Sequence, residues 1–232
     1  MTCEAIGEGS LSRPIIYISE CIDYQGEEYK VTSISNSAFK SHIHIKAVHI
    51  PNGLIRIGNR AFMGCDSLLV INIPNSVTKI GEYAFYGSKG ATDLILPQNI
   101  KEIPTACFVA TKISRLNIPE GVEVIKLDAF ALSPYIKEVK IPSTVKHLER
   151  GVFFNCLAIE KIELPASLER ADEYLFFGCE KLKDIYIHAI VPPQALALHR
   201  NPSQITLHVP AESVEAYRNA EYWKDMNIVP IH

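Results

Sequence analysis

The stretch AFMGCDSLLVINIP (residues 61–74) contains the two landmarks that decide the fold of this chain. Its phenylalanine belongs to a series with a period of 23 residues, shortened once to 22: Phe39, Phe62, Phe85, Phe108, Phe130, Phe153 and Phe176. Its proline belongs to a second series in step with the first, each member preceded by Ile or Leu: Pro51, Pro74, Pro97, Pro119, Pro142 and Pro165. Two landmarks in step indicate an internal repeat that fills the middle of the chain.

Each repeat follows the pattern I-P-x-x-V-x-x-I-x-x-x-A-F-x-x-C/S/T-x-x-L-x-x-I-x. The alternation in segments such as LLVINIP predicts a short strand that stops at the proline. The segment around A-F is too short for a stable α-helix, so it predicts a helical or 3₁₀ turn. Because one repeat cannot bury its own apolar side, stacked copies are required. The sequence therefore predicts an α/β-class, strand-dominated, right-handed solenoid of about seven 23-residue repeats.

The two ends of the array need caps that cover its first and last apolar faces. We expect one domain, residues 1–232, in which residues 1–33 form an N-terminal hairpin cap around DYQGEE and residues 34–187 form the repeats. Residues 188–232 would form a C-terminal cap with a short amphipathic helix in PAESVEAYRNAEYW. Tyr217 and Trp223 are expected to pack on the last repeat.

The composition is that of a folded protein without an obvious polyanionic or membrane partner. Apolar residues make up 47% of the chain and charged residues 21%, with a net charge of −3. These values argue against disorder and give no reason to expect nucleic acid as a partner, and no apolar run is long enough to span a bilayer. The first residues, MTCEAIGEGSLSRP, lack the pattern of a secretory signal. Both a cytoplasmic chain and a mature, exported one therefore remain open alternatives.

The strand L-x-x-I-x-I-P and the turn I-G-x-x-A-F-x-x-C resemble those of the BspA-like leucine-rich repeat family. The flanking segments CIDYQGEEYKVTSISNSAF and LHVPAESVEAYRNAEYWKDMNIVPI resemble its N-terminal hairpin and its closing segment. The resemblance implies a curved solenoid, secreted or on the bacterial surface, that binds or adheres to proteins such as host matrix proteins and is not an enzyme. The usual I-G is replaced at Pro104, Lys126, Glu149 and Asp172, so those turns are expected to be less regular.

The Gly-Cys pair of the opening stretch raises the question of a reactive thiol. Cys65, Cys156 and Cys179 all lie three residues after a repeat phenylalanine, where other repeats place His42, Ser88, Thr111 and Ser133. A position that accepts Cys, Ser or Thr predicts a small, inward-facing structural side chain. Cys107 occupies the alanine position before its phenylalanine.

Other chemistry-bearing residues form no convincing site in the sequence. The chain has no Cys-x-x-Cys pair, and pairing of Cys3 with Cys21 in the N-terminal cap stays open. The histidines His42, His44 and His49 need not converge on a metal. We therefore predict no catalytic residue, no metal site and no cofactor.

The outward residues of the main strand line the concave face of a leucine-rich repeat. In the earlier repeats this face combines apolar and polar residues in one predicted protein-binding patch: Leu69, Val70, Asn72, Thr92, Ile95, Arg115 and Asn117. A covering loop or cap and packing against a second copy are the alternatives. In the later repeats the charges alternate in sign, as in Lys140 and Glu163, which predicts a self-neutralised surface. A carbohydrate-binding or structural surface protein is the alternative function, for which Tyr186 is the one outward aromatic residue predicted.

Overall fold

The computed structural model describes residues 2–5, 14–199 and 201–231 of the chain. They form a strand-dominated solenoid of about 9 turns, which confirms the predicted fold class. The strands follow one another in this order: β1 (Thr2–Ala5), β2 (Ile15–Tyr17), β3 (Cys21–Tyr24), β4 (Glu27–Ile34), β5 (Ala47–His49), β6 (Arg56–Ile57), β7 (Val70–Asn72), β8 (Lys79–Ile80), β9 (Asp93–Ile95), β10 (Glu102–Ile103), β11 (Val124–Ile125), β12 (Glu138–Lys140), β13 (His147–Leu148), β14 (Lys161–Leu164), β15 (Arg170–Ala171), β16 (Asp184–Ile187), β17 (Gln194–Ala195), β18 (Thr206–Val209) and β19 (Asn227–Pro230).

The solenoid carries two parallel strand ladders. The main ladder comprises β2, β5, β7, β9, β12, β14, β16, β18 and β19, and the side ladder comprises β1, β4, β6, β8, β10, β11, β13, β15 and β17. The rungs that pair do so in register, so that Lys161 lies opposite Asp184 in the main ladder and Arg56 lies opposite Lys79 in the side ladder. Successive repeats therefore place equivalent side chains in columns.

The predicted hairpin at the N-terminus is confirmed. Strand β3 pairs antiparallel with β4, and Gln25 and Gly26 form the turn with φ angles of 57° and 80°. Strand β2, however, pairs with β5 and adds a rung to the main ladder. The solenoid therefore begins earlier than the repeat pattern indicates.

The A-F segments form a third continuous strip, which consists of turns and contains no helix. In this turn strip the Phe39 N–H donates to the Ala61 oxygen at 2.7 Å and the Phe62 N–H to the Ala84 oxygen at 2.7 Å. The glycine before Cys65 lies in this strip with a φ of 72°, a conformation that favours glycine. In the opening stretch, Gly64 therefore supplies the left-handed backbone conformation and Cys65 the buried side chain that follows it.

The repeat phenylalanines stack into one column through the centre of the core. Their ring centroids are 5.2 to 6.4 Å apart along the column, and the rings are nearly parallel. All of them are buried. Stacking contributes about 0.5–1.5 kcal/mol per pair beyond the burial of apolar area, so the column stabilises every turn against its neighbours.

The turns that lack the I-G pair are as regular as those that keep it, except at Pro104. The Gly81 N–H donates to the Ile57 oxygen at 2.9 Å, and the equivalent N–H groups of Lys126 and Glu149 donate at the same distance. The prediction of less regular turns is therefore wrong for these positions and for Asp172, whose N–H bonds the Leu148 oxygen at 2.9 Å. Pro104 has no N–H to donate.

The turns without glycine stay regular because a different side chain binds the backbone N–H that follows this position. A Cβ on Gly81 would approach the Asn59 backbone nitrogen to 2.4 Å and its Oδ1 to 2.5 Å, because Asn59 reaches forward to the Glu82 N–H. In a later turn the equivalent N–H, that of Leu127, is bound at 2.9 Å by Glu149 from the following turn. The Asn cap is then unnecessary, and a residue larger than glycine fits.

The C-terminal region also extends the main ladder. The 23-residue period ends near Ile187, yet β18 pairs with β16 and β19 pairs with β18. The predicted helix is present as α1 (Val214–Asn219), preceded by a 3₁₀ turn over Ala211–Ser213. Tyr217 and Trp223 are buried, as predicted, and hydrogen-bond the Ala189 and Pro193 oxygens at 2.9 and 3.0 Å.

Candidate functional site

The strand face, meaning the outward side chains of the main ladder, is the surface on which the predicted patch lies. Backbone hydrogen bonds link its rungs: the Leu69 N–H donates to the Lys46 oxygen and the Thr92 N–H to the Leu69 oxygen, both at 3.0 Å. In the same face Val70 lies opposite Asp93, and Asn72 lies opposite Ile95. The structure thus brings Leu69, Val70, Asn72, Thr92 and Ile95 together on two adjacent rungs.

The apolar members of this patch are open to solvent. Leu69 is 52% exposed, Val70 42% and Ile95 54%, so no described loop covers them. Thr92 donates its hydroxyl to the Asp93 carboxylate at 3.0 Å and thereby engages the one acid of these rungs. Exposed aliphatic side chains rimmed by amide and hydroxyl groups are typical of a protein-binding surface.

Arg115 and Asn117 border the patch on the next rung. Residues 115–117 occupy the rung between β9 and β12 without forming a regular strand, and the Ser114 N–H reaches the Thr92 oxygen at 3.4 Å. Both side chains are exposed, and within the described chain Arg115 forms no ion pair. This edge of the patch therefore presents a free positive charge.

A tyrosine that the sequence reasoning missed extends the strand face at its N-terminal end. The pairing of β2 with β5 places Ile15 opposite Ala47 and Tyr17 opposite His49. Tyr17 is 71% exposed, and its ring stacks on His49 with centroids 4.4 Å apart. The residues of β2 fall within the predicted cap, residues 1–33, and the strand-favouring composition of Ile-Ile-Tyr is the one sequence signal for this rung.

The C-terminal half of the strand face neutralises itself. Glu163 Oε1 lies 3.4 Å from Lys140 Nζ and 3.2 Å from His188 Nε2. Partial burial opposes the ionisation of Glu163, but hydrogen bonds from His188 and Lys140 outweigh it and lower the pKa of the carboxyl. The predicted charge pairing of Lys140 with Glu163 is therefore confirmed.

Tyr186 is enclosed by its neighbours. Its ring stacks on His208 at 4.0 Å, and Lys161 Nζ lies 4.4 Å from its centroid, while His208 bonds Asp184 at 2.8 Å. Lys161 and Asp184 lie opposite each other, but the Asp184 carboxylate bonds His208 of β18, a strand that the repeat pattern does not include. Tyr186 thus offers no open aromatic platform.

The geometry and the sequence agree with a known family. The family model described as "BspA type Leucine rich repeat region (6 copies)" matches residues 32–157 and 101–197. The chain belongs to the BspA-type leucine-rich repeat family. No curated protein sequence matches it.

Two solved structures share the fold. The leucine-rich repeat protein TpLRR of T. pallidum is 20% identical, with a TM-score of 0.50 over 91% of this chain and 80% of its own. A leucine-rich cell surface protein of Faecalibacterium prausnitzii is 15% identical, with a TM-score of 0.54 over 94% of this chain and 88% of its own. At this level of identity the likeness supports the BspA-type fold alone.

The cysteines that follow the repeat phenylalanines serve the BspA-type turn as buried hydrogen-bond donors. Cys65 Sγ donates to the Phe39 oxygen at 3.1 Å, and Ser88 Oγ makes the equivalent bond to the Phe62 oxygen at 3.2 Å. Burial raises the pKa of the Cys65 and Cys179 thiols to about 12 and also raises that of Cys156. Thiols of this kind remain protonated and make poor nucleophiles at neutral pH.

Cys3 and Cys21 are held on opposite sides of β4. Lys30 pairs with Thr2 of β1 on one edge and with Cys21 of β3 on the other, and the Cys21 thiol is free. Two strand spacings amount to about 9–10 Å, whereas a disulfide requires Cα atoms within about 7 Å. The side chain of Cys3 lies outside the described structure.

The histidines near the N-terminal end have separate partners. His42 Nδ1 lies 3.1 Å from the Lys40 oxygen, and His49 stacks on Tyr17. The described residues contain no group of three or more His, Cys, Asp or Glu placed to hold a metal ion. No helix among them has the length and hydrophobicity needed to cross a membrane.

Proposed function

We propose that the chain is a non-catalytic protein-binding or adhesion module of a secreted or cell-surface bacterial protein. Its partner would contact the patch formed by Leu69, Val70, Asn72, Thr92, Ile95, Arg115 and Asn117. Membership of the BspA-type family supports an interaction role, and the F. prausnitzii neighbour is described as a cell surface protein. Host extracellular matrix proteins are the ligand class that we propose.

The exposure of Leu69, Val70 and Ile95 on adjacent rungs carries this proposal. The same face neutralises its own charges further along, so the solenoid is able to build a surface that needs no partner. Burying a fully exposed Leu, Val or Ile side chain contributes about 1.5–3 kcal/mol, and about half of each of these three side chains is still open to a partner. Three such residues within a polar rim are therefore sufficient for the core of a small interface.

Carbohydrate binding is a second candidate, and it rests on a different residue. Tyr17 is 71% exposed and stacked on His49, which is a suitable platform for a sugar ring. The patch itself is aliphatic, and Tyr186 is enclosed. We therefore favour protein as the partner of the patch.

The double variant Leu69→Asp with Ile95→Asp tests the proposed function. We expect the wild-type chain to bind at least one of collagen, fibronectin and laminin immobilised on a sensor surface, with cell-wall glycans as the second arm. The variant should lose at least about tenfold in affinity, because the two contacts together contribute at least about 1.4 kcal/mol. Its melting temperature should stay within about 2 °C, since exposed substitutions change stability by about 0.5 kcal/mol or less.

The matched control replaces exposed apolar residues outside the patch. Leu157→Asp with Ile190→Asp changes side chains that are 45% and 61% exposed and adds the same charge. The control should bind as the wild type does. Equal binding by all three proteins would exclude the patch as the interface.

A further inference from the structure

The side ladder places two cations opposite each other on neighbouring turns. Arg56 of β6 pairs in register with Lys79 of β8, and both side chains are exposed. Like charges directly opposite on paired strands are destabilising. A surface that keeps them so close is suited to bind a negative charge.

Neither cation is neutralised within the described chain. The Arg56 guanidinium makes one long hydrogen bond of 3.4 Å to Asn36 Oδ1, and the Lys79 ammonium makes no hydrogen bond or ion pair there. Later turns of the same ladder behave differently. Lys101 pairs with Glu123 at 3.3 Å, Lys126 with Glu102 at 2.8 Å and Arg170 with Asp172 at 2.6 Å.

The two cations line a surface groove that also contains polar groups. Asn59, Thr78 and Lys101 contribute to its walls, and Glu102 is the carboxylate among them. Glu102 is already engaged, because its hydrogen bond with Lys126 raises the pKa of that lysine. The free charge of the groove is therefore positive.

We propose that this groove binds a sulfate or phosphate ester group carried by a glycan. Adjacent strands lie about 4.8 Å apart, so the Arg56 guanidinium and the Lys79 ammonium can both reach the oxygens of one tetrahedral anion. A guanidinium donates two parallel hydrogen bonds to such an anion and an ammonium contributes a point charge. Ile55, which is 49% exposed beside Arg56, offers an apolar contact for a sugar ring.

This site is independent of the protein-binding patch, because it lies on the other strand ladder and uses none of the same residues. Failure of the protein-binding patch would therefore leave this proposal intact, and failure of this site would leave the patch intact. The two free cations lie on adjacent turns, which matches one ester group better than a long charged polymer.

Calorimetric titration of the full chain tests the proposal. The probes are a sulfated oligosaccharide derived from heparin, its desulfated counterpart, inorganic sulfate and inorganic phosphate. For a sulfate ester site, we expect the sulfated oligosaccharide to bind at least about tenfold more tightly than the desulfated sugar. For a phosphate ester site, we expect the same advantage for phosphate. Charged hydrogen bonds are lost with the ester, which accounts for a difference of this size.

Two variants that each remove two positive charges distinguish binding at this groove from general attraction of an anion to the protein. Arg56→Gln with Lys79→Gln should weaken binding at least tenfold, while Lys137→Gln with Lys146→Gln, on the C-terminal turns, should change it less than threefold. The first variant should be at least as stable as the wild type, because it removes a repulsion. Equal losses in both variants, equal binding of the desulfated sugar or no binding by any probe would each overturn the proposal.

Discussion

The position three residues after each repeat phenylalanine shows what a single residue contributes to this solenoid. Cys65, Ser88, Ser133, Cys156 and Cys179 all donate to a phenylalanine carbonyl of the preceding turn, at 3.1 to 3.3 Å. The thiol and the hydroxyl are interchangeable because each is small and has one hydrogen to donate. The sequence predicted this position, because Cys, Ser and Thr share a small side chain with one hydrogen to donate.

Substitutions at Cys65 test the role of the buried donor. Cys65→Ser should be more stable than Cys65→Ala by about 1 kcal/mol, because alanine removes one of the two hydrogen bonds that the Phe39 carbonyl accepts, the other coming from the His42 N–H. Urea unfolding of both variants and the wild type measures the difference. Equal stability of the serine and alanine variants would show that the hydrogen bond contributes nothing and that only the size of the side chain matters.

At the scale of one element, the rung at residues 115–117 is the weak point of the solenoid. The repeat that contains it has 22 residues, with one residue fewer between Thr111 and Ile113 than in the preceding repeat. The main ladder has no regular strand at this rung, and β8 and β10 of the side ladder are not paired. The turn strip continues across the gap, with hydrogen bonds of 3.0 Å from Phe85 to Cys107 and 2.9 Å from Phe108 to Ala129.

We therefore predict that this rung opens locally. Amide hydrogens of residues 115–118 should exchange at least about tenfold faster than those of β12 (Glu138–Lys140), because few backbone hydrogen bonds protect them. Native-state hydrogen exchange followed by NMR gives both rates. A variant with one glycine inserted after Lys112, which restores the Ser-Lys-Gly-Ala spacing of residues 88–91, should slow exchange at the rung. Equal protection of the two rungs in the wild-type chain would contradict a weak point here.

The strands also show which elements the sequence can predict. The repeats were predictable because Phe and Pro recur at a fixed interval, and the columns of the patch follow from that interval. The rungs β2, β18 and β19 were not, since Ile16 precedes its neighbour Val48 by 32 residues and the series of repeat phenylalanines ends at Phe176, before β18 and β19. Strands can pair whatever the length of the loop between them, whereas a repeat pattern requires a fixed spacing. The pattern therefore did not predict the strands that contain Tyr17 and His208.

Over the whole molecule, the two halves of the solenoid differ in charge and in how they use it. Residues 40–118 contain nine Lys or Arg and four Asp or Glu. Residues 119–231 contain twelve Lys or Arg and sixteen Asp or Glu. The earlier turns hold the unpaired cations Arg56, Lys79 and Arg115 together with the exposed apolar residues. Of the ion pairs on the two ladders, Lys140–Glu163 and Arg170–Asp172 lie in the later turns, and Lys101–Glu123 and Lys126–Glu102 join the two halves. Core stacking is the same throughout, so this difference does not arise from the needs of the fold.

The measurement that tests the binding surface most directly is a hydrogen-exchange footprint of the chain on the matrix protein that it captures. Exchange should slow in segments 46–50, 69–73 and 92–96 and at residues 115–117, because the partner would exclude water from the patch and hold the loose rung. Segments 137–140 and 160–163, on the self-neutralised half, should exchange at the same rate with and without the partner. Protection confined to residues 137–187, or spread evenly over both halves, would contradict a binding surface on the earlier turns.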